Sequence, residues 1–442
     1  MIKFWKKTLA LALAGIMAMA PVNYAQAANT GNAIAKGIDV SKHNGAVDWN
    51  SVAASGISFA FIKAGSTKSG VDPYFDANMR GAQNAGLKVG VYIYSYATNV
   101  EQAQNEANLM LQWLSNYTVS YPVVYDIEDS CQRNLSQEQI QAMVNTFCST
   151  IASAGYYPMV YSNKNWFNQK IGNVGYDKWV AQYADNLEYE GASFWQSSSH
   201  GSVAGVGTRV DINYQFKDYS SLIVSDGFAD RNGQTMFFAG YKMQRGWVAY
   251  NDNRYYLDAN GFLQRNGWFA DESGTYYLTE DGSVARGQVA LEGQNYYFDG
   301  NGVRTAGWVT VNDKKYYYAP DTGAMLHGWF EDETGKYFLA TKDGHMLVSD
   351  VTIEGQDYYF ADNGVMQTGL VTKPDGKQYY YDANGVLTRS SEITIDGVLY
   401  KTDKQGVATP VPVEAPQSEE TMAEGTEAVT ENAEVVAEQP AA

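Results

Sequence analysis

Tyr121-Pro-Val-Val-Tyr-Asp126-Ile-Glu128-Asp129 is an apolar run that stops abruptly at three acids. Residues 122–128 read as one short β-strand, because a brief continuous apolar stretch rich in Val and Tyr suits a strand covered on both faces. Along a strand, residues two apart share a face with Cα atoms about 7 Å apart, so Asp126 and Glu128 are expected to project together. Asp129 falls on the other face, where capping of the next helix or plain solvation accounts for it.

Similar β-rich runs lie on both sides of this stretch, at 36–40, 58–63, 88–95, 157–162, 178–183, 192–196 and 209–214. Helical patterns separate the earlier ones at 73–85, 100–116 and 136–154, with shorter candidates at 49–54 and 164–170. Strands alternating with helices predict a parallel sheet, and eight strands between residues 34 and 222 predict a closed barrel. The last three strands leave no room for full helices between them. The expected fold is therefore α/β: a TIM-like (β/α) barrel with fewer than eight helices.

Asp39 and Asp211 sit near the carboxyl ends of the first and last predicted strands. Closure makes those strands neighbours, which brings Asp39 and Asp211 to the face where barrel active sites lie, beside Asp126 and Glu128. Singly, each acid reads as structural; four at strand ends read as a glycosidase cleft. Tyr92, Tyr94, Tyr125, Tyr161, Gln182, Tyr183, Trp195 and Gln196 fall on predicted strand ends around it. Aromatic faces suit sugar C–H surfaces and amides suit hydroxyl and acetamido groups, although core packing explains Tyr92 and Trp195 equally well. His43 and His200 have no ligand-like neighbour, so no metal and no cofactor are expected.

From Phe237 the texture changes. Tyr255-Tyr256, Tyr276-Tyr277, Tyr296-Tyr297, Tyr316-Tyr317, Tyr358-Tyr359 and Tyr379-Tyr380 recur every 20 or 21 residues, with Tyr337-Phe338 and Leu399-Tyr400 completing the series. Turn signals such as Asp258-Ala-Asn-Gly261 follow the pairs, and Gly-Trp steps follow at Trp247, Trp268, Trp308 and Trp329. A fixed short period with one hairpin per unit predicts an all-β solenoid of about eight units over 232–409, each burying its aromatic face against its neighbours. Packing alone accounts for the inner Tyr of each pair; for the four Trp, packing and ligand binding are equally supported.

At the N-terminus, Lys3, Lys6 and Lys7 precede an apolar run and Ala25-Gln-Ala27, the layout of a secretory signal peptide over 1–27. No later stretch has the roughly 20 apolar residues of a membrane span. Losing those three lysines takes the net charge from −18 to −21, and residues 411–442 hold eight Glu without Lys or Arg. Nucleic acid is thereby disfavoured as a partner, since an acidic surface gains nothing from counterion release. The tail, 410–442, has no periodicity and is expected to stay disordered. Cys131 and Cys148 invite a disulfide in an exported protein, but Ser136-x-x-Gln139 reads as a capping box that puts Cys148 about 18 Å along a helix, so two separate buried thiols are preferred.

Gly37-Ile-Asp-Val-Ser41, Tyr125-Asp-Ile-Glu128, Trp179-Val-Ala-Gln-Tyr183, Phe194-Trp-Gln196 and Val210-Asp-Ile-Asn213 together resemble the successive strand motifs of glycoside hydrolase family 25, the muramidases. The resemblance spans nearly all of 34–222. It implies cleavage of the β-1,4 bond between N-acetylmuramic acid and N-acetylglucosamine in peptidoglycan, with Glu128 as general acid and Asp126, Asp39 and Asp211 as acidic partners. Crowding among like charges raises the pKa of Glu128 toward a value useful for protonating the leaving oxygen. Retention, inversion and attack by the substrate's own N-acetyl group, with Asp126 orienting it, all remain open.

The Tyr and Gly-Trp units resemble the cell-wall-binding, or choline-binding, repeats of wall hydrolases, which implies cation–π capture of a quaternary ammonium. Gln288 and Leu370 replace Trp after the glycine and Ser349-Asp350 replaces the whole step, so few complete cages are expected. A secreted, wall-associated hydrolase follows; a non-catalytic wall adhesin and a glycosidase acting on another N-acetylhexosamine polymer are the alternatives.

Overall fold

The computed structural model describes residues 30–412. The expected signal peptide and all but the first residues of the acidic tail lie outside them. The described chain falls into two compact units: one runs to Gly287 and adds Phe298–Arg304, and the other comprises Gln288–Tyr297 and the residues from Thr305 on.

The first unit contains a barrel of β1 (Ala35–Val40), β2 (Phe59–Ser66), β3 (Gly70–Val71), β4 (Lys88–Tyr94), β5 (Val123–Asp126), β6 (Pro158–Asn163), β7 (Asp177–Ala181), β8 (Phe194–Gly201) and β9 (Val210–Gln215). The strand order is β1-β9-β8-β7-β6-β5-β4-β2-β3, with β1 also pairing β2, so eight strands close on themselves and β3 is a short appendage. Neighbours run parallel from β1 through β8 in this circuit. The expectation of a wholly parallel sheet is corrected at β9, which runs antiparallel to both β8 and β1. Its connection from β8, residues 202–209, is too short for the crossover that a parallel return requires.

Helices α1 (Trp49–Ala54), α2 (Phe75–Asn84), α3 (Val100–Leu114) and α4 (Gln137–Ser153) cover the outer face of the early strands. Local chemistry starts them: the Asn99 side chain accepts from Gln102 N at 2.9 Å, and Ser136 with Gln139 forms the capping box read from the sequence. Both cysteines are free thiols; Cys148 is buried on the inner face of α4, but the expectation that Cys131 is buried too is corrected, since it lies exposed in the turn at Ser130–Gln132.

Strand alternation sorts the barrel into two cores. Outward residues such as Ile38, Val91, Tyr125 and Val180 pack against the helices, while Phe59, Phe61, Tyr92, Tyr161, Trp179 and Phe194 fill the interior. Phe61 stacks on Trp179 at 4.4 Å and meets Phe194 edge-on at 5.0 Å. Glycine makes room for these rings: a Cβ on Gly37 would lie 2.3 Å from Phe59, and one on Gly90 would lie 2.4 Å from Phe61.

After the barrel, the first unit continues with β10 (Gly227–Arg231), β11 (Gln234–Ala239), β12 (Lys242–Met243) and the hairpins β13 (Gly246–Tyr250) with β14 (Asn253–Leu257) and β15 (Gly267–Asp271) with β16 (Gly274–Leu278). Asn251 and Asp252, both with positive φ (48° and 63°), form the tight turn that matches strand twist. Each Gly-Trp strand pairs with a Tyr-pair strand, Trp247 opposite Tyr256 and Trp268 opposite Tyr277. The same register recurs in the second unit, where Trp308 faces Tyr317 and Trp329 faces Phe338. The first aromatic is the buried one at Tyr276 and Tyr316, whereas both members of Tyr337-Phe338 are buried.

The aromatic plug predicts that Phe61→Ala lowers barrel stability by about 3–5 kcal/mol, read from denaturant midpoints. A loss under about 1 kcal/mol would mean that the interior does not depend on these rings.

Candidate active site

Asp126 is the last residue of β5, where its parity points it inward. Glu128 lies two residues past the strand end in the following loop rather than on the strand as expected. The two carboxyls still interact, since Glu128 is the strongest charge acting on Asp126. Asp39 on β1 is directly opposite Asp211 on β9, and the pair approaches within hydrogen-bonding range. Four acids distant in the chain thus share the carboxyl-end rim.

Gln196 organises them. Its Oε1 accepts from Tyr161 Oη at 2.9 Å and from Tyr183 Oη at 3.0 Å. This leaves Nε2 to donate to Asp39 at 2.9 Å and to Asp211 at 3.2 Å. A second chain runs from Trp179 Nε1 to Asn213 Oδ1 at 2.8 Å, and from Asn213 Nδ2 to Asp39 Oδ1, also at 2.8 Å. Both networks rise from the aromatic plug, which fixes the carboxyls from below. A cavity of about 400 Å³ opens over Asp39, Asp211 and Tyr92.

Burial dominates the electrostatics. It pushes the Asp39 carboxyl well above the usual range, and the charge of Asp211 pushes it further. Burial followed by Glu128 does the same to Asp126, whose Oδ1 is enclosed without a hydrogen-bond partner among the described residues. Glu128 is also raised, first by burial, against a lowering hydrogen bond from the Asn163 side chain. Glu128 is partly exposed while Asp126 is only 4 % exposed, so Glu128 is the more accessible of the two.

The structure divides the surrounding residues by parity. Tyr161, Tyr183 and Gln196 face the acids; Tyr94 sits at the rim and donates to Asp129 at 3.2 Å. Tyr125, Gln182 and Trp195, which the sequence placed at the cleft, do not face it. Tyr125 is adjacent to inward Asp126 and must point outward, where it stacks on Phe147 at 4.2 Å and donates to the buried Glu106 at 2.9 Å. Trp195, next to Gln196, is fully buried outside the barrel and donates to Gln182 O at 2.7 Å. The Gln182 amide is spent on its own loop, bonding Asn186 O and Glu188 N. Asp129 caps the following turn by accepting from Cys131 N at 2.9 Å.

Sequence reasoning missed three residues. Lys63 lies on the inner face of β2, 4.9 Å from the Tyr94 ring centre, and its charge favours ionisation of both Asp126 and Glu128. A lone lysine on a strand reads as solvated; only its shared parity with Phe59 and Phe61 signals otherwise. Asn213 stood inside a quoted motif without a role, and Asn163 carried no signal.

The pattern of Glycosyl hydrolases family 25 matches residues 38–206. YegX of Escherichia coli K12, a protein without an assigned function, is 33 % identical over 188 residues that cover 40 % of this chain and 68 % of that protein. The chain belongs to glycosyl hydrolases family 25. Among other members, the Autolytic lysozyme of Clostridium acetobutylicum is 29 % identical over 40 % of this chain and 55 % of its own length. Lysozyme M1 of Streptomyces globisporus is 31 % identical, with 40 % and 66 % covered. The family 25 barrel is a glycoside hydrolase of the lysozyme type. Beyond it, Putative cell wall binding repeats match 246–261 and 266–284, and Choline-binding repeats match 305–350 and 351–391.

The repeat tryptophans differ in their surroundings. The Arg254 guanidinium stands 4.4 Å over Trp247, and Lys336 Nζ stands 4.6 Å over Trp329, so the chain's own cations cap those rings. Trp268 is 42 % exposed. Trp308 meets Tyr317 at 5.1 Å and Tyr337 at 4.9 Å, and no basic side chain of the described residues stands over it.

The raised carboxyls set a direction for stability. Because folded Asp126 holds its proton to a higher pH than the unfolded chain does, its contribution is complete below the ordinary carboxyl range and is lost as pH rises through the raised value. Asp126→Asn is expected to be more stable than the parent near pH 7 by on the order of 1 kcal/mol, with the gap closing near pH 4. Thermal melts at both pH values check this; a parent as stable as the variant at pH 7 contradicts it.

Proposed function

We propose that this family 25 protein is a secreted, wall-associated enzyme that cleaves the β-1,4 bond from N-acetylmuramic acid to N-acetylglucosamine in peptidoglycan. The observation that carries the reading is the convergence of four carboxyls on one rim, with a partly accessible acid, Glu128, pushed upward by burial beside the more enclosed Asp126. Glu128 retains its proton above the ordinary carboxyl range and donates it to the departing glycosidic oxygen. The unpartnered Oδ1 of Asp126 is placed to accept from the substrate's acetamido N–H, holding that group against the reacting carbon. Asp39 and Asp211 supply negative charge toward an oxocarbenium-like centre, and Gln196 keeps them oriented. Glycan binding alone would not require burying like charges that destabilise the fold, which disfavours the adhesin reading.

Glu128→Gln should reduce turnover of purified peptidoglycan by at least about a thousandfold while leaving the melting temperature near that of the parent. Parent activity should fall on the alkaline side as Glu128 loses its proton. Mass analysis of the fragments should find new reducing ends on muramic acid; reducing ends on glucosamine alone, or undiminished turnover by the Gln variant, would sink the assignment.

The repeats are proposed to hold the enzyme on the wall through a quaternary ammonium such as choline, with Trp308, over which no basic side chain of the described residues stands, and the more exposed Trp268 as its rings. Trp247 and Trp329 take part only if Arg254 and Lys336 give way. Full-length protein should be retarded on an immobilised choline matrix, released by free choline, and retarded less as Trp308→Ala. Passage of the parent without delay would assign wall attachment to a different ligand.

A further inference from the structure

A cavity of about 900 Å³ in the first unit lies away from the acids. Its barrel wall is built at the amino ends of the parallel strands, by Tyr156 ahead of β6, Asp177 at the start of β7 and the end of α4. Its other wall comes from the first repeat segment, including Arg231, Met236 and Arg245. Substrate held at the rim therefore cannot account for it.

The charges of the lining are unusual in a chain of net charge −18. Three cations, Lys217, Arg231 and Arg245, face a single acid. That acid, Asp177, is committed: its Oδ2 accepts from Lys217 at 2.7 Å, Tyr219 at 2.8 Å and Tyr157 at 2.9 Å. The two arginines hydrogen-bond backbone carbonyls, Arg231 to Leu222 and Gly155 and Arg245 to Ala259 and Ser153, and Arg231 also stands 4.6 Å over the Phe238 ring. No carboxylate of the described residues stands within 4.0 Å of either guanidinium. Arg231, partly buried, and Arg245, exposed at the cavity edge, keep unspent capacity for a planar anion, which the guanidinium fork matches in two-point contact.

We propose that this cavity binds a short peptide through its free carboxylates, as a second site beside the catalytic one. Three features favour a peptide over a phosphate-bearing polymer. The volume is in the range that encloses a small ligand rather than a strand in transit. Only two cations are uncommitted, and fixed Asp177 would repel a dense row of phosphates. Between the charges, amide side chains such as Asn260 and apolar surface from Tyr156 and Met236 suit a mostly uncharged backbone with a few acidic groups. The source of the peptide, the stems carried by the glycan the barrel cleaves, rests on the peptidoglycan reading; the recognition of carboxylates does not.

Calorimetry on the full chain tests it with the pentapeptide L-Ala-γ-D-Glu-L-Lys-D-Ala-D-Ala, the same peptide as its C-terminal amide, and inorganic phosphate. The free acid should bind with a dissociation constant below about 1 mM. The amide should bind at least tenfold more weakly, and Arg245→Ala should weaken the acid at least tenfold. Exposed Gln234→Glu, an isosteric change that adds a repelling carboxylate to the wall, should weaken it severalfold and guards against misfolding of the arginine variant. No binding by the parent, equal binding of acid and amide, affinities unmoved by both variants, or displacement by equimolar phosphate would each overturn the proposal. Binding that survives in a chain shown to have no lytic activity would count against the catalytic reading and leave this one standing.

Discussion

β9 closes the barrel by pairing antiparallel with both β8 and β1, and that closure sets Asp39 directly across from Asp211. Like charges opposite one another across strands oppose folding, and here Asp39 is buried and Asp211 partly buried. The fold offsets this with hydrogen bonds to Asp39 and Asp211 from Gln196, and to Asp39 from Asn213, each held in turn by an aromatic residue of the interior. The raised carboxyl pKa values, the fixed amide orientations and the need for bulky rings below the rim all follow from that closure. Stability is given up at the rim and recovered in the aromatic plug beneath it.

The same alternation that fills the interior decides which side chains take part in chemistry. Adjacent residues on a strand cannot share a face, so Asp126 and Gln196 reach the cleft only because Tyr125 and Trp195 face away from it. The outward residues have their own work: Tyr125, Ser95 and Glu106 join strand to helix through a buried polar cluster. Lys63 places a cation among the acids at the rim, which moderates the elevation of Asp126 and Glu128 without abolishing it.

In the repeats, aromatic rings serve packing first. Tyr255, Tyr276, Tyr316 and Tyr358 close the interiors of their hairpins, and cations from the chain itself cover Trp247 and Trp329. The earliest repeat segments are part of the barrel's own compact unit, tied to it by arginine contacts to the carbonyls of Gly155 and Ser153. Catalytic and repeat segments therefore divide in the sequence pattern at a different place from where they divide in space.

The sequence by itself determined the periodicities: eight strands with helices between the early ones, a capping box at Ser136, and hairpins at 20 or 21 residues. These are local properties, written in patterns of two, 3.6 and twenty residues that survive without knowledge of the partner segments. It also marked the four acids, because acids at the ends of apolar strands are costly enough to stand out. Tertiary structure decided the rest. The direction of β9 depended on the length of a connection, the placement of Tyr125, Gln182 and Trp195 on strand parity, and the presence of Lys63 on a neighbouring strand's inner face. Where a side chain points, and which distant residue it meets, is set by closure of the sheet, and closure is a property of all eight strands together.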